Sequence, residues 1–307
     1  MNILKVGRRD FIEDQNLFNL SWFVTKKCNY KCIYCGVKKD KQFLPLEDCN
    51  KIIDYINKIE ERGRKVIVSL TGGESLLHPN IIDIVNGIKT TKLRIKTNTS
   101  QGIDMLDYFM YSVRSDIHIE AEYHYPFIWP KDYLERIEYI APRVHFVFAK
   151  VFWDIRNKDY TLDVYNEAKK LEENNSNLKV YLDIPRHPFF LWEEDDLEFI
   201  ESLSKTKDFV IIYEEDDIEK EMSVSYPEAV KLCKENFKNY QEFVCNSNRD
   251  SCSIDSNGDV FRCGELFYRQ KPNFNILKEP FIEDNKESKC PVDSFCYDLT
   301  ISKRKEK

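Results

Sequence analysis

The chain has 307 residues, 42% of them hydrophobic, enough apolar material for one large domain with a small one beside it. Its 53 Asp and Glu against 46 Lys and Arg give a formal net charge of −7, which speaks against a nucleic-acid partner, because such a groove binder needs a basic surface. There is neither a signal peptide nor an apolar run long enough to span a bilayer, so the expectation is a soluble cytoplasmic protein with no membrane partner.

From the N-terminus, 18–24 reads as a strand, and 47–63 as a helix with Cys49, Ile52, Ile53, Ile56 and Ile59 at helical spacing and Gly63 as its stop. A second strand at 66–70 is followed by a helix from Pro79, then a third strand at 93–97 and a short helix at 103–111. Strands at 116–121, 144–151 and 178–184 alternate with helices around 131–141 and 160–174. Six strand–helix alternations predict a parallel sheet of βα units, either a barrel or a doubly wound sheet, with chemistry at the carboxyl ends of the strands.

Past residue 190 the pattern changes. A helix at 193–203, a strand at 209–213 and a helix at 227–243 precede two short strands, 251–255 and 259–262, joined by Ser256-Asn257-Gly258, a hairpin signal. The basic run at 303–307 reads as a solvated tail.

Ten cysteines are many for a chain with no export signal, and in a reducing compartment clustered thiols are more often metal ligands than disulfides. Three lie within eight residues, Cys28, Cys32 and Cys35, and five lie between 245 and 296, with none between Cys49 and Cys233. Two metal sites in two modules are expected. Cys49 and Cys233 sit in helical patterns and read as core.

The first cluster is Cys28-x3-Cys32-x2-Cys35, directly after the first strand. Three thiolates on one loop can hold one face of a cubane [4Fe–4S] cluster and leave one iron open; a zinc loop or buried apolar thiols are the bland alternatives. C-x3-C-x-Tyr-C in this position, with Tyr34 before the last cysteine, resembles the signature of the radical S-adenosylmethionine (SAM) superfamily. The resemblance implies that Cys28, Cys32 and Cys35 ligate the cluster and that Tyr34 lies beside the cofactor.

Gly72-Gly73-Glu74 at the end of the second strand is similar to the family's Gly-Gly-Glu motif, which binds the amino group of SAM, although Ser75 stands where the family often has Pro. Asn98, in Lys96-Thr97-Asn98-Thr99, resembles the family's Thr-Asn-Gly turn; it is either a ligand of the SAM carboxylate or a polar strand cap. In 117–125 alternation puts His118, Glu120 and Glu122 on one face. Glu120 or Glu122, the latter slightly preferred, fills the family's ribose-contacting place, and His124 and Tyr125 then reach toward substrate; a solvent-facing edge or a plain salt bridge is the alternative. Arg186 at the end of the sixth strand is a candidate for the SAM carboxylate or a substrate anion.

Cys245-x12-Gly258-x4-Cys263, with Cys252 between and Cys290-x5-Cys296 after, looks like the SPASM or twitch extension of many radical SAM enzymes. Five cysteines are too few for two auxiliary clusters, so one auxiliary [4Fe–4S] cluster on four of Cys245, Cys252, Cys263, Cys290 and Cys296 is implied; a zinc ribbon is the alternative.

The fold expected from the resemblance is α/β, a partial (β/α)6 radical SAM barrel followed by a small cysteine-rich α+β extension. Its divisions are a core at 1–212, a linker helix region at 213–243 and the auxiliary-cluster module at 244–307. The implied activity is reductive cleavage of SAM to a 5′-deoxyadenosyl radical that abstracts a substrate hydrogen, with a flavodoxin- or ferredoxin-type electron donor. Two substrate classes compete, a small or carbohydrate-like molecule and a ribosomally made peptide. The 27 residues before Cys28 leave no room for a leader-binding domain, which tips the expectation toward the first. A non-catalytic iron–sulfur carrier is the remaining reading, and the Gly-Gly-Glu motif speaks against it.

Overall fold

The structure is a computed structural model and describes residues 2–9, 13–14, 16–39, 42–183, 194–203, 207, 209–236, 243–245, 250–279, 288–289 and 301–303. In chain order it begins with β1 (Asn2–Arg8) and β2 (Leu17–Thr25), followed by α1 (Leu46–Glu61). Next come β3 (Lys65–Gly72), α2 (Ile81–Gly87), β4 (Lys92–Thr97), α3 (Ile103–Ser112), β5 (His118–Tyr123) and α4 (Pro130–Ile140). The series closes with β6 (Phe146–Phe152), α5 (Lys158–Glu173) and β7 (Leu178–Asp183), each expected element recovered to within a few residues.

These six strands pair in chain order, β2-β3-β4-β5-β6-β7, every pair parallel. The strand order never reverses among them, so the doubly wound alternative falls and the partial barrel stands. One face of each strand packs under the helices. Leu20, Trp22, Val68, Leu70, Ile95, Ile119, Ala121, Val147 and Val180 belong to one apolar core with Ile52, Ile53 and Ile56 of α1. Full burial of each of those isoleucines contributes about 1.5–3 kcal/mol, which explains why α1 forms without a side-chain N-cap.

The chain continues with α6 (Glu194–Leu203), β8 (Phe209–Glu215), β9 (Ile218–Val224), α7 (Tyr226–Asn236), β10 (Phe243–Cys245), β11 (Ser251–Ile254), β12 (Asp259–Phe261), α8 (Gly264–Tyr268) and β13 (Phe274–Asn275). Two short strands follow, β14 (Ser288–Lys289) and β15 (Ile301–Lys303). The expected hairpin is present as β11–β12; the helix expected over 227–243 is described over Tyr226–Asn236, and Phe243, its expected last residue, is strand.

Sequence reading missed six of the described strands, β1, β9, β10, β13, β14 and β15, and with five of them a second sheet, of which it anticipated only β8. That sheet has six strands in the order β14-β10-β15-β1-β8-β9, all its pairs antiparallel. In β9 the alternation is hidden by charge, Ile218-Glu219-Lys220-Glu221, because it is an exposed edge. The β11–β12–β13 segment, by contrast, joins the barrel sheet: β11 lies parallel to β2, with Cys252 opposite Leu20 and Ile254 opposite Trp22. Strands on both sides of residues 212 and 243 therefore share both sheets.

Candidate active site

The cysteine loop leaves β2 at Thr25 and is fixed from below by the turn that ends β3. The Gly73 amide donates to the Thr25 carbonyl and the Glu74 amide to the Lys27 carbonyl, both at 2.8 Å. Glycine is required at both positions. A Cβ at Gly72 would lie 2.0 Å from the Thr25 carbonyl oxygen, and one at Gly73 2.0 Å from that of Lys27. Gly72 also has φ +131°, in the region that favours glycine. The close approach that these glycines permit is thus to the cysteine loop's own backbone.

Glu74 is fully buried and accepts three hydrogen bonds, from the Leu76 amide (3.0 Å), the Thr97 hydroxyl (2.8 Å) and the Asn98 amide (2.6 Å). Burial raises its carboxyl to about 7 against these donors, which favour the ionised form. Asn98 extends the connection upward: its Nδ2 donates to Asn29 Oδ1 at 3.0 Å and points at Cys28 Sγ from 3.7 Å. Asn98 thus stands just past the end of β4 with its side chain against the cysteine loop. Thr97 was not anticipated, although its position one residue before Asn98 is signal enough for a strand-end hydroxyl.

Above β5, His124 collects the other expected residues. Its Nδ1 is hydrogen-bonded to the Tyr34 hydroxyl at 2.8 Å, its Nε2 is 3.4 Å from Glu122, and its ring stacks on Phe152 at 5.0 Å. Burial by itself would lower its pKa, but Cys32 and Glu122 outweigh this and raise it to about 9. Tyr125, next in the chain, packs edge-on against Tyr160 at 5.2 Å.

Glu120 occupies a different environment from Glu122. It is 2% exposed and faces three cations from neighbouring strands, Lys150 at 2.5 Å, Lys96 at 3.1 Å and Arg94 at 3.8 Å. Burial would raise its pKa; the three cations instead hold it well below the usual carboxylate range. Lys150 also approaches Asp183 at 3.4 Å, so the network crosses β4 to β7. The i, i+2 spacing of Arg94 and Lys96, opposite the Glu120 face of β5, was the overlooked signal.

A family-implied cluster must find thiols that can be ionised and donors that can stabilise them. Cys32 and Cys35 close one turn (Cys35 N–H to Cys32 C=O, 3.1 Å), Cys28 precedes it on the same loop, and the three range from half-buried to exposed. Cys28 Sγ already accepts the Tyr30 amide at 3.3 Å. Among the described residues no three His, Cys, Asp or Glu side chains are drawn together around a point, so the fit rests on this thiol set and its amide donors.

Of the C-terminal cysteines, Cys252 and Cys263 have described side chains; Cys245 is placed as backbone in β10, and Cys290, Cys296 and Arg186 lie outside the described residues. Cys252 belongs to the barrel core with Ile254 and Val260, and burial pushes its thiol up to about 12. Cys263 is equally buried, just before α8 and apart from the cluster that holds Cys252, and its carbonyl accepts the Phe267 amide at 3.1 Å. Phe267 in turn stacks on Phe23 of β2 at 4.1 Å. Cys49 and Cys233 are buried, as expected.

A parallel βα series with a three-cysteine loop after its first barrel strand, braced by Gly-Gly-Glu, defines a radical SAM domain. Residues 22–146 match the model of the radical SAM superfamily, and the chain carries that domain. GTP 3',8-cyclase of Listeria welshimeri is 37% identical over 68 residues, 21% of this chain and 20% of that protein. A "Probable GTP 3',8-cyclase" of Methanothermobacter marburgensis is 30% identical over 132 residues, 40% of this chain and 42% of that protein. The chain thus spans less than half the length of these curated relatives. Among solved structures, native anSMEcpe with bound AdoMet and Kp18Cys peptide superposes with a TM-score of 0.50 and 12% identity, over 86% of this chain and 78% of that one, a likeness of fold. No helix among the described residues is long and apolar enough to cross a membrane.

Proposed function

We propose that the protein is a radical SAM enzyme acting on a small or carbohydrate-like substrate, by oxidation or rearrangement after hydrogen abstraction. The observation that carries the reading is the single hydrogen-bonded unit made by Cys28, Asn98, Glu74 and the Thr25–Lys27 backbone. It joins the cysteine loop to the two strand ends that the family uses for SAM.

Cys28, Cys32 and Cys35 hold the cluster, and the Tyr30 amide and Asn98 Nδ2 stabilise its sulfur. Held there, a [4Fe–4S] cluster would supply the electron for reductive cleavage of SAM and so the means of abstracting a hydrogen atom from substrate. Glu74 fixes the turn that receives the methionine end. Glu122 is the ribose contact, and its half-buried carboxylate also orients His124 through the 3.4 Å contact. Tyr34 and Phe152 hold the imidazole from the other sides, and His124 faces the substrate with Tyr125 beyond it. Glu120, locked by three cations, is the floor of the site.

One auxiliary cluster on Cys245, Cys263, Cys290 and Cys296 completes the reading. Cys252 is the fifth, spare cysteine, because its side chain is spent in the core. The electron for SAM comes from a flavodoxin- or ferredoxin-type donor.

The test is anaerobic reconstitution of the full chain beside a Cys28/Cys32/Cys35→Ala variant, with iron and sulfide counted and 5′-deoxyadenosine measured after dithionite and SAM. About eight irons falling to about four, with 5′-deoxyadenosine from the unmutated chain alone, is the expected result. Stoichiometric zinc, or full clusters without SAM cleavage, overturns it.

A further inference from the structure

Lys26 lies between the two loop residues whose carbonyls are gripped by Gly73 and Glu74, yet its side chain goes elsewhere. Its ammonium meets Asp255 Oδ2 at 2.9 Å, in an ion pair whose side chains are 10% and 1% exposed. The two residues are 229 positions apart. They meet because β11 lies parallel to β2, so that the residue just past β11 arrives beside the start of the cysteine loop.

Asp255 is rigidly presented. Its Oδ1 accepts the Asn257 amide at 2.8 Å and the Asp259 amide at 3.2 Å, and its own amide donates to the Asp259 carbonyl at 2.9 Å. The turn is closed by Gly258, which has φ +80° and where a Cβ would lie only 2.7 Å from Leu277 Cγ. The cysteine loop is therefore held at its origin from two directions, by the Gly-Gly-Glu turn and by the C-terminal hairpin.

We infer that Lys26 and Asp255 are positioning residues through which the C-terminal hairpin sets the geometry and the charge of the SAM-binding cluster loop. The inference rests on the reading that Cys28, Cys32 and Cys35 hold a cluster. A buried ion pair adds little net stability over an apolar pair of the same volume, but it fixes orientation, and an unpaired partner is costly. Lys26 is two residues from Cys28, within ~7.6 Å along the backbone. Asp255 thus also cancels a positive charge that would otherwise bear on the cluster and favour its reduced, more negative state.

The experiment uses the anaerobically reconstituted full chain with Asp255→Asn, Lys26→Met, the double variant, and Lys26→Arg as the conservative change. Iron per chain, the Kd for SAM, the electron paramagnetic resonance spectrum of the reduced cluster with and without SAM, and its midpoint potential are read. Asp255→Asn is expected to shift the potential positive. Each single neutral variant is expected to weaken SAM binding by about tenfold or more, the double variant by no more than the worse single one, and Lys26→Arg by little. Variants that melt earlier but keep the potential, the spectrum and the SAM affinity overturn the inference and leave a structural ion pair. If Asp255→Asn does not fold, Lys26→Met decides, since Asp255 then retains its two amide donors. An unmutated chain that takes up no cluster overturns the functional reading itself, whereas clusters in all variants with unchanged properties overturn this inference alone.

Discussion

The Asn98 amide donates to Glu74 Oε2 at 2.6 Å, which makes the turn after β3 and the turn after β4 one rigid unit although 24 residues separate them. Since Thr97 and Leu76 donate to the same carboxylate, its removal strands three buried donors at once. Glu74→Ala is expected to cost ~3 kcal/mol or more in urea unfolding and to abolish SAM binding. Glu74→Gln, which keeps the shape and part of the accepting capacity, is expected to lose less stability. Equal stability of Glu74→Ala and the parent would contradict the assignment.

Two carboxylates on one face of β5 should behave differently. Glu120→Gln leaves Lys150, Lys96 and Arg94 without their shared carboxylate, and a loss of ~3–5 kcal/mol in stability is expected with the Kd for SAM little changed. Glu122→Gln is expected to leave stability within ~1 kcal/mol while weakening SAM binding. Isothermal titration beside denaturant melts separates the two; the reverse pattern would move the ribose contact to Glu120.

The two described C-terminal cysteines give the sharpest contrast. Cys252→Ala creates a small cavity in the core and is expected to cost ~1–2 kcal/mol with iron content unchanged. Cys263→Ala is expected to lose the auxiliary cluster's share of iron, about four per chain, besides a cavity cost of about 1–2 kcal/mol like that of Cys252→Ala, since its side chain is as deeply buried. Iron lost from Cys252→Ala would make that residue a ligand.

Acid should destabilise the fold through two histidines held neutral, the buried His78 and the half-buried His118. Burial lowers His78 to about 4, with its Nδ1 accepting the Asn80 amide and its ring edge-on to Phe43. His118 is lowered to about 4 as well, by burial first and then by Lys92 and His145. With folded pKa values below the unfolded ~6.5, the unfolded chain binds more protons in this window. The contribution of these two histidines is full above about 6.5 and falls as the pH drops toward about 4, opposed in part by Glu74, whose carboxyl, raised to about 7, holds its proton more tightly in the folded chain. His78→Asn should flatten that slope in melts taken from pH 7 to 4.5; an unchanged slope would place the loss elsewhere.

Much of this was legible from local pattern. The βα periodicity appears in the chain because each strand buries one face under helices and each helix buries one stripe, so the apolar spacing repeats the geometry. Cys28-x3-Cys32-x2-Cys35 and Gly72-Gly73-Glu74 were readable because a loop that wraps a metal or grips a backbone needs particular residues at fixed short spacing. The second sheet was not readable. β1 finds its partners in β8 and β15, some two hundred or more residues away, and nothing local in Asn2–Arg8 encodes that pairing. The divergent fates of Glu120 and Glu122 were equally hidden, since alternation gave them one face and only the neighbouring strands supplied the cations.

The sequence by itself determined the βα series and the radical SAM cysteine loop, because both depend on residues close together in the chain. The tertiary structure decided that the strands run in barrel order, that β11 and Cys252 join the barrel sheet beside β2, and that Lys26 meets Asp255. Each of these depends on which distant strand lies alongside which, and that is chosen by burying the whole apolar surface at once rather than by any short stretch of residues.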